Sequence, residues 1–66
     1  MKFLEIKVYK VWTTRGSVVS VRASGFDILS GMVGFYVETA DDNYLKTKNT
    51  FKWFSVYNIV SIEIDK

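Results

Sequence analysis

Apolar and polar residues alternate along most of this chain, and a period of two residues predicts β-strands rather than helices. In the first segment the alternation predicts one buried face, formed by Leu4, Ile6, Val8 and Trp12. The segment after it is rich in valine and serine and predicts a second strand, with one face formed by Val19, Val21 and Ala23. Between the two lies Thr14 to Ser17, with Arg15-Gly16 at its centre, which is typical of a tight turn.

Glycines at positions 25, 31 and 34 interrupt the next part of the chain and indicate a second turn together with strongly bent strands. The strand that follows has Val33, Phe35 and Val37 on one side. Residues 41–43, Asp-Asp-Asn, are typical of a polar turn. The stretch YLKTKNTFKWFSV then predicts a long strand that can break at Lys48-Asn49, and a short last strand carries Ile59, Val60, Ile62 and Ile64.

No window of ten or more residues keeps a helical period, and no proline marks the start of a helix. Four or five strands with short turns must close on themselves, because one open sheet cannot bury two apolar faces. The sequence therefore predicts an all-β protein with a single domain over residues 1–66. We expect a small, strongly bent antiparallel β-barrel of about five strands, without a long helix.

The composition excludes several kinds of chemistry. With no cysteine and no histidine, the chain cannot form a disulfide, a zinc site of the usual ligands or a His-dependent triad. We therefore expect no enzyme, no metal site and no cofactor. Apolar residues make up 48% of the chain, which excludes a disordered tail, but no apolar run is long enough for a transmembrane helix. Because the charged N-terminal segment is also unlike a signal peptide, we expect a cytoplasmic protein without a membrane partner.

Residue usage is biased toward AT-rich codons. Phe, Tyr, Met, Ile, Asn and Lys account for 26 of the 66 residues, whereas Gly, Ala, Arg and Pro account for 8. This bias predicts an AT-rich genome, and a compact chain of this kind suits a phage or another mobile element. A viral origin is therefore the expectation.

Charge is arranged in blocks, although the net charge is only +2. Residues 1–24 carry a net charge of +4, residues 25–43 carry −4, and three lysines follow in residues 44–52. Such blocks can produce one basic and one acidic face after folding. They can equally pair between subunits, so we also expect a homo-oligomer.

The spacing of a glycine, a valine-rich strand and an aspartate resembles the first motif of Sm-like proteins. The positions that carry this likeness are Gly16, Val18-Val19, Gly25-Phe26-Asp27 and Ser30-Gly31. The tail SVYNIVSIEI is similar to the second motif, in which an Arg-Gly precedes a short apolar strand. The resemblance covers most of residues 14–64 and implies a small SH3-like barrel that can assemble into a ring.

The chain departs from the Sm-like pattern where that family forms its nucleotide pocket. Asp27 matches the aspartate of the family, but Gly31 stands in the place of the asparagine and Ser55-Val56 in the place of Arg-Gly. We also expect no counterpart of the family's N-terminal helix, because the pattern predicts a strand in the first residues. The resemblance therefore implies the fold and does not imply uridine recognition.

The stretch YLKTKNTFKWF, residues 44–54, contains three lysines and four aromatic rings. In an extended strand one face carries Tyr44, Lys46, Lys48, Lys52 and Phe54, and the other carries Leu45, Thr47, Phe51 and Trp53. This segregation is typical of a half-buried strand with a solvated outer face, and lysines on an edge strand also oppose aggregation. The lysine face is at the same time a candidate ligand surface, because exposed rings can stack on bases while ammonium groups contact phosphates.

The remaining candidates are isolated residues. Arg15 and Arg22 are the only arginines, and a turn arginine such as Arg15 can hold a phosphate together with backbone amides. Trp12 and Trp53 are both expected in the core, since a tryptophan on the apolar face of a strand is usually structural. The adjacent Asp41 and Asp42 lack the spaced ligands of a calcium loop and fit a turn better.

Two binding functions remain open. In the first, the chain binds nucleic acid or a nucleotide, and the candidate site residues are Arg15, Arg22, Tyr44, Lys46, Lys48, Lys52 and Phe54. In the second, it is a protein-interaction module, such as a small inhibitor or adaptor of a host protein, that uses exposed apolar surface and free sheet edges. The basic N-terminal part and the lysine face favour the first hypothesis.

Overall fold

The computed structural model describes residues 2–65, which form an antiparallel all-β fold of two sheets. In chain order the strands are β1 (Lys2–Phe3), β2 (Lys7–Thr13), β3 (Val18–Ala23), β4 (Gly25–Leu29), β5 (Met32–Ala40), β6 (Lys46–Ser55) and β7 (Ile59–Asp65). A single 3₁₀ turn, Val56–Asn58, separates β6 from β7 and is the one helical segment in this range. The prediction of an all-β protein without a long helix is confirmed.

The four-stranded sheet is built around β5. On one side, β5 pairs with β6 along its whole length. On its other side, residues 32–36 of β5 pair with β4, and residues 39–40 pair with β1. In the three-stranded sheet, β2 lies between β3 and β7. Only Ser24 separates β3 from β4, so this segment bends from one sheet into the other. Over residues 2–65, no strand pair closes the two sheets into a barrel.

Two tight turns form where the sequence predicts them. Ser30 and Gly31 have φ values of 49° and 76° and lie between the paired residues Leu29 and Met32. This is a two-residue hairpin turn with positive φ at both central positions, which matches the right-handed twist of the strands. In the predicted turn between β2 and β3, Gly16 has a φ of 82° and its amide donates to the carbonyl of Thr13 at 3.0 Å.

Gly25 and Gly34 lie inside strands and are not turn residues. A Cβ atom on Gly34 would be 2.7 Å from Cζ3 of Trp53, and a Cβ atom on Gly25 would be 2.6 Å from the hydroxyl oxygen of Tyr36. Each glycine therefore provides the space in which a neighbouring aromatic ring lies on the sheet. The sequence indicates bends at these positions, whereas their role in the structure is to accept a ring.

The core lies between the two sheets, and we call the sheet faces that line it the inner faces. Its buried residues are Tyr9, Val11, Val21, Ala23, Val33 and Phe35. Phe35 is fully buried, and its ring centroid lies 5.5 Å from those of Tyr9 and Phe26 and 5.8 Å from that of Phe54. The rings meet at tilted or edge-on angles, the geometry that aromatic pairs prefer. This aromatic cluster holds the four-stranded sheet against β2.

The predicted faces of β3 and β5 are confirmed, but the predicted face of the first strand is wrong. In β2 the buried residues are Tyr9 and Val11, and the side chain of Trp12 is 41% exposed on the outer face. The alternation that begins at Leu4 and Ile6 does not continue into β2, because residues 4–6 do not belong to a strand. The two segments therefore have independent faces.

β6 contains a bulge at Phe51. Lys52 pairs with Phe35 and Thr50 pairs with Tyr36, so Phe51 is an extra residue without a partner on β5. An extra residue reverses the alternation of side chains beyond it. The predicted break at Lys48-Asn49 is not present, because both residues pair with β5.

Candidate binding surface on the four-stranded sheet

The structure distributes the seven predicted site residues over five places. Arg15 lies in the turn between β2 and β3, and Arg22 lies on the outer face of the three-stranded sheet, paired with Val8. Tyr44 lies in the loop between β5 and β6. On the four-stranded sheet, the bulge places Lys46 and Lys48 on the outer face and Lys52 and Phe54 on the inner face. The single lysine face predicted from the sequence is therefore wrong, since it requires unbroken alternation.

Tyr44 is exposed because of the loop that carries it. Its φ is 62° and its side chain is 87% exposed. The loop is ordered by Asp41, whose Oδ1 accepts hydrogen bonds from the backbone amides of Asn43 and Leu45, each at 2.9 Å. Asp41 thus acts as a turn residue, as the sequence indicates. Tyr44 precedes β6 and does not belong to either face of the sheet.

Lys48 is engaged by neighbouring side chains on the outer face. Its Nζ donates a hydrogen bond to Oδ2 of Asp27 at 3.1 Å and lies 4.3 Å from the centroid of the Tyr36 ring. The hydrogen bond to Asp27, together with the charges of nearby groups, raises the pKa of Lys48 above 10.5. Both members of this ion pair are about half exposed, so its contribution to stability is small. The contact nevertheless directs the ammonium away from the free edge of β6.

Phe54 and Lys52 belong to the inner face and do not form an exposed ring platform. The ring of Phe54 is partly buried and packs edge-on against Phe35. The ammonium of Lys52 lies 5.6 Å from the centroid of the Phe54 ring, a distance that allows a cation–π contact. One side of Phe54 thus contributes to the core, and Lys52 covers part of the rest.

Charges on the outer faces of the sheets cancel. Among the described side chains on the outer face of the four-stranded sheet, Lys46 and Lys48 are balanced by Asp27 and Glu38. On the outer face of the other sheet the charged residues are Lys10, Arg22, Glu63 and Asp65, and Lys10 lies 3.8 Å from Asp65. The fold therefore disperses the basic block seen in the sequence, and the described side chains form no basic patch on either outer face.

Apolar side chains are grouped on the outer face of the four-stranded sheet. Leu29 and Met32 pair across the tight turn, and Trp53 pairs with Gly34, two positions farther along β5. We call Leu29, Met32 and Trp53 the outer apolar patch. The indole of Trp53 covers the backbone of Gly34 and remains 49% exposed. The expectation that Trp12 and Trp53 belong to the core is thus wrong, since both lie on outer faces.

The sequence contains one signal for this patch. An isolated glycine in an otherwise regular strand indicates close approach by another group, and Gly34 is such a residue in MVGFYVET. The identity of the approaching group depends on the register between β5 and β6, which the bulge sets. Leu29 and Met32 have no comparable signal, because apolar residues beside a turn are also common in cores.

Comparison of the chain with protein-family models, curated proteins and solved structures gave no match. Over residues 2–65, no helix is long and apolar enough to cross a membrane. The same part of the chain contains no group of three acidic side chains that could hold a metal ion. The geometry and charge of the surface therefore provide the basis for a functional assignment.

Proposed function

We propose that this chain is a non-enzymatic protein-binding module whose partner docks on the outer apolar patch. The observation that carries the proposal is the half-exposed Trp53, which lies over Gly34 on the sheet face that also carries Leu29 and Met32. Tryptophan is among the residues that dominate the energetics of protein interfaces. Because the sheet already restricts this ring, little conformational entropy is lost when a partner covers it.

The balance of charges supports a protein partner. A phosphate backbone is bound chiefly through an excess of lysine and arginine, which releases counterions. Among the described side chains on the outer face of the four-stranded sheet, two lysines are matched by two carboxylates, and one of those lysines is bound to Asp27. An apolar centre with mixed charges around it is the usual composition of a protein interface.

A comparison of two tryptophans tests the proposal. Trp53 and Trp12 are similarly exposed, but they lie on the outer faces of different sheets. The tagged chain would capture its partner from a nuclease-treated lysate of the organism that encodes it. Trp53→Ala is expected to weaken capture roughly tenfold or more, whereas Trp12→Ala leaves it unchanged. Equal capture by both variants, or capture that occurs only when the nuclease is omitted, would count against a protein partner on this face.

A further variant separates binding from folding. Leu29→Lys adds a charge to the outer apolar patch at a position that is already exposed, so the fold is expected to survive. Its circular dichroism spectrum should match that of the unsubstituted chain while capture is lost. Retained capture by a correctly folded Leu29→Lys variant would contradict the proposal.

Nucleic acid or a nucleotide is the second candidate ligand. It is supported by the position of Trp53, which shares the outer face with Lys46 and Lys48, because a ring can stack on a base while ammonium groups contact phosphates. The test is the salt dependence of binding to a labelled single-stranded oligonucleotide between about 50 and 200 mM salt. Phosphate-driven binding should weaken steeply, and Lys46→Gln should reduce the slope. An affinity that is indifferent to salt would contradict this candidate.

The finer architecture is also a proposal: the two sheets are the halves of a strongly bent, Sm-like or SH3-like barrel that stays open along β6. Its support is the chain segment that passes from one sheet to the other at Ser24, together with the 3₁₀ turn before β7. Amide hydrogen exchange tests it. Fast exchange at alternate residues along the outer edge of β6 is expected, whereas uniform protection of β6 in the isolated monomer would contradict an open edge.

A homo-oligomer is compatible with this proposal and is supported by the shape of the chain. The principal extents are 43 × 28 × 12 Å, and the radius of gyration is 13.0 Å, against about 11 Å for a compact chain of this length. The accessible surface is 4946 Å², against about 4,300 Å² for a compact monomer of 7.6 kDa. Sedimentation equilibrium would measure the subunit number directly, and a monomer at all accessible concentrations would contradict it.

A further inference from the structure

β6 is a long edge strand. It pairs with β5 on one side, and over residues 2–65 no other strand pairs with its second side. All side chains from Lys46 to Trp53 are exposed. Such an edge is a template to which another extended chain can add through backbone hydrogen bonds.

The hydrogen bonds of β5 show which residues of β6 have amide and carbonyl groups that point away from β5, toward the unpaired edge of β6. The carbonyl of Glu38 accepts from the amide of Leu4 at 2.9 Å, and the carbonyl of Tyr36 accepts from the amide of Ser24 at 2.8 Å. Both carbonyls thus point away from β6. In an antiparallel ladder the paired residues on β6, Lys48 and Thr50, then direct their own amide and carbonyl groups away from β5.

The amide and carbonyl groups of Lys46 also point away from β5. The register continues without a shift from the pair of Glu38 and Lys48 to the pair of Ala40 and Lys46, so residues two apart have the same orientation. The free edge therefore presents the backbone groups of Lys46, Lys48 and Thr50. Lys46–Thr50 is also the longest regular part of the edge, because the bulge at Phe51 interrupts it.

We propose that an extended acidic segment of a partner protein adds to β6 as an antiparallel strand along Lys46–Thr50. This inference rests on the proposed protein-binding function and names the chemistry of the partner. In an antiparallel hydrogen-bonded pair the two opposite side chains lie on the same face, so the residue opposite Lys46 meets its ammonium group. Lys46–Thr50 carries two lysines and no carboxylate, and opposite charges on facing strands stabilise the pair.

Lys46 is the lysine that we expect to form an ion pair with the partner strand. In the described part of the chain its ammonium has no carboxylate within 4.0 Å, whereas Lys48 is bound to Asp27. A second copy of this chain that added its own β6 would bring lysines close to lysines, which is unfavourable. The charge of the edge thus selects an acidic strand and opposes pairing of β6 with β6.

Two peptides of about ten residues test this proposal, one alternating glutamate with threonine and the other alternating lysine with threonine. The glutamate peptide is expected to bind the full chain about tenfold or more tightly than the lysine peptide. Its binding should slow hydrogen exchange at the amides of Lys46, Lys48 and Thr50. A glutamate peptide that is N-methylated at alternate positions should not bind, because it cannot complete the ladder.

Charge reversal gives the matched control. Lys46→Glu should reverse the preference between the two peptides, whereas Arg22→Glu, an exposed residue on the other sheet, should leave it unchanged. Equal binding of both peptides, or slowed exchange on β7 instead of β6, would overturn the proposal. Slowed exchange of β6 at high protein concentration without any peptide would identify a second copy as the occupant and would overturn it as well.

The experiments distinguish failure of strand addition from failure of the proposed protein-binding function. If the peptides do not bind but Trp53→Ala still abolishes capture of the partner, then the outer apolar patch is used without strand addition. If the peptides bind as expected and the tryptophan variant captures normally, then the edge, and not the patch, carries recognition.

Discussion

Lys48 and Asp27 form an ion pair with a 3.1 Å contact between Nζ and Oδ2, although they come from two strands that are not neighbours. Lys48 belongs to β6 and Asp27 to β4, so the contact spans β5 and passes beside the ring of Tyr36. Within the sheet, Lys48 is paired with Glu38, yet its ammonium reaches diagonally to Asp27. The ion pair therefore links the two strands that flank β5.

Replacing Lys48 by methionine is expected to remove a contribution to stability that depends on pH. The pKa of Lys48 is raised in the folded chain, so the folded state holds the proton more tightly than the unfolded state. The contribution of Lys48 to the free energy of unfolding is complete below pH 10.5, the ordinary pKa of lysine. It is lost as the pH rises through the higher pKa of the folded state. Urea unfolding of both chains should give a constant difference between about pH 7 and 9 and a smaller one near pH 11.

Lys46→Met is the control for that measurement, because Lys46 lies on the same face without an ion pair in the described range. Its effect on the free energy of unfolding should vary less with pH. A difference between the chain and its Lys48→Met variant that grows above pH 10.5 would contradict the assigned sign.

Gly34→Ala is expected to destabilise the chain through Trp53. The added methyl group would lie 2.7 Å from Cζ3 of the indole and 3.0 Å from Cγ2 of Thr50, so both side chains must move. Overpacking of this kind costs about 1–3 kcal/mol. In a double-mutant cycle with Trp53→Ala, measured by urea unfolding, the cost should largely disappear. Additive effects of the two substitutions would show that the ring does not lie over Gly34.

Gly31→Ala is expected to weaken the hairpin between β4 and β5. Gly31 has a φ of 76°, and a residue with a Cβ atom loses about 1–2 kcal/mol in the left-handed region. The matched variant is Ser30→Asn, since asparagine before glycine is the preferred sequence for this turn, and it should keep or increase stability. Midpoints of urea unfolding compare the two. A Gly31→Ala variant as stable as the parent chain would contradict the turn conformation.

Phe35→Ala is expected to remove a large part of the free energy of unfolding. Truncation of a buried phenylalanine costs about 3–5 kcal/mol, and the total stability of a chain of 66 residues is about 3–10 kcal/mol. The control is Phe51→Ala, which removes the same ring from the exposed bulge and should change stability by about 0.5 kcal/mol or less. Urea unfolding of both variants measures the outcome, and a loss of less than about 1 kcal/mol in Phe35→Ala would contradict the assigned core.

The inner faces of β3 and β5 could be predicted because each strand keeps its alternation without interruption. Val21 and Ala23, and likewise Val33 and Phe35, are buried as the period of two requires. The turns could be predicted equally well. Glycine adopts the positive φ that a tight turn requires, and the carboxylate of aspartate accepts hydrogen bonds from the turn backbone. Local rules are sufficient where the neighbours along the chain decide the structure.

The face of β2 and the bulge of β6 could not be predicted from alternation. β2 has apolar side chains on both faces, and contacts of Tyr9 with Phe26 and Phe35 from the other sheet decide which face is buried. At Phe51 no glycine marks the bulge, and the extra residue becomes visible only when β6 is paired with β5. Both features depend on partners that are distant in sequence, so tertiary contacts override the local pattern.

The predicted lysine face of β6 was wrong for the same reason. Alternation without the bulge joins Lys46, Lys48 and Lys52 on one face and assigns Trp53 to the core. The bulge instead separates Lys52 from the other lysines and brings Trp53 to the outer face. One extra residue thus converts an expected basic strand face into an apolar patch and a separate lysine-bearing edge.

The pairing of β2 with β7 determines the order in which the sheets can form. The hairpins β2–β3, β4–β5 and β5–β6 join strands that follow one another, so each requires only a short loop closure. Tyr9 meets Ile64 only when nearly the whole chain has been brought together, which makes this closure entropically the most costly. We therefore expect β7 to dock late: Ile62→Val should accelerate unfolding and leave the folding rate almost unchanged, with a φ-value near zero.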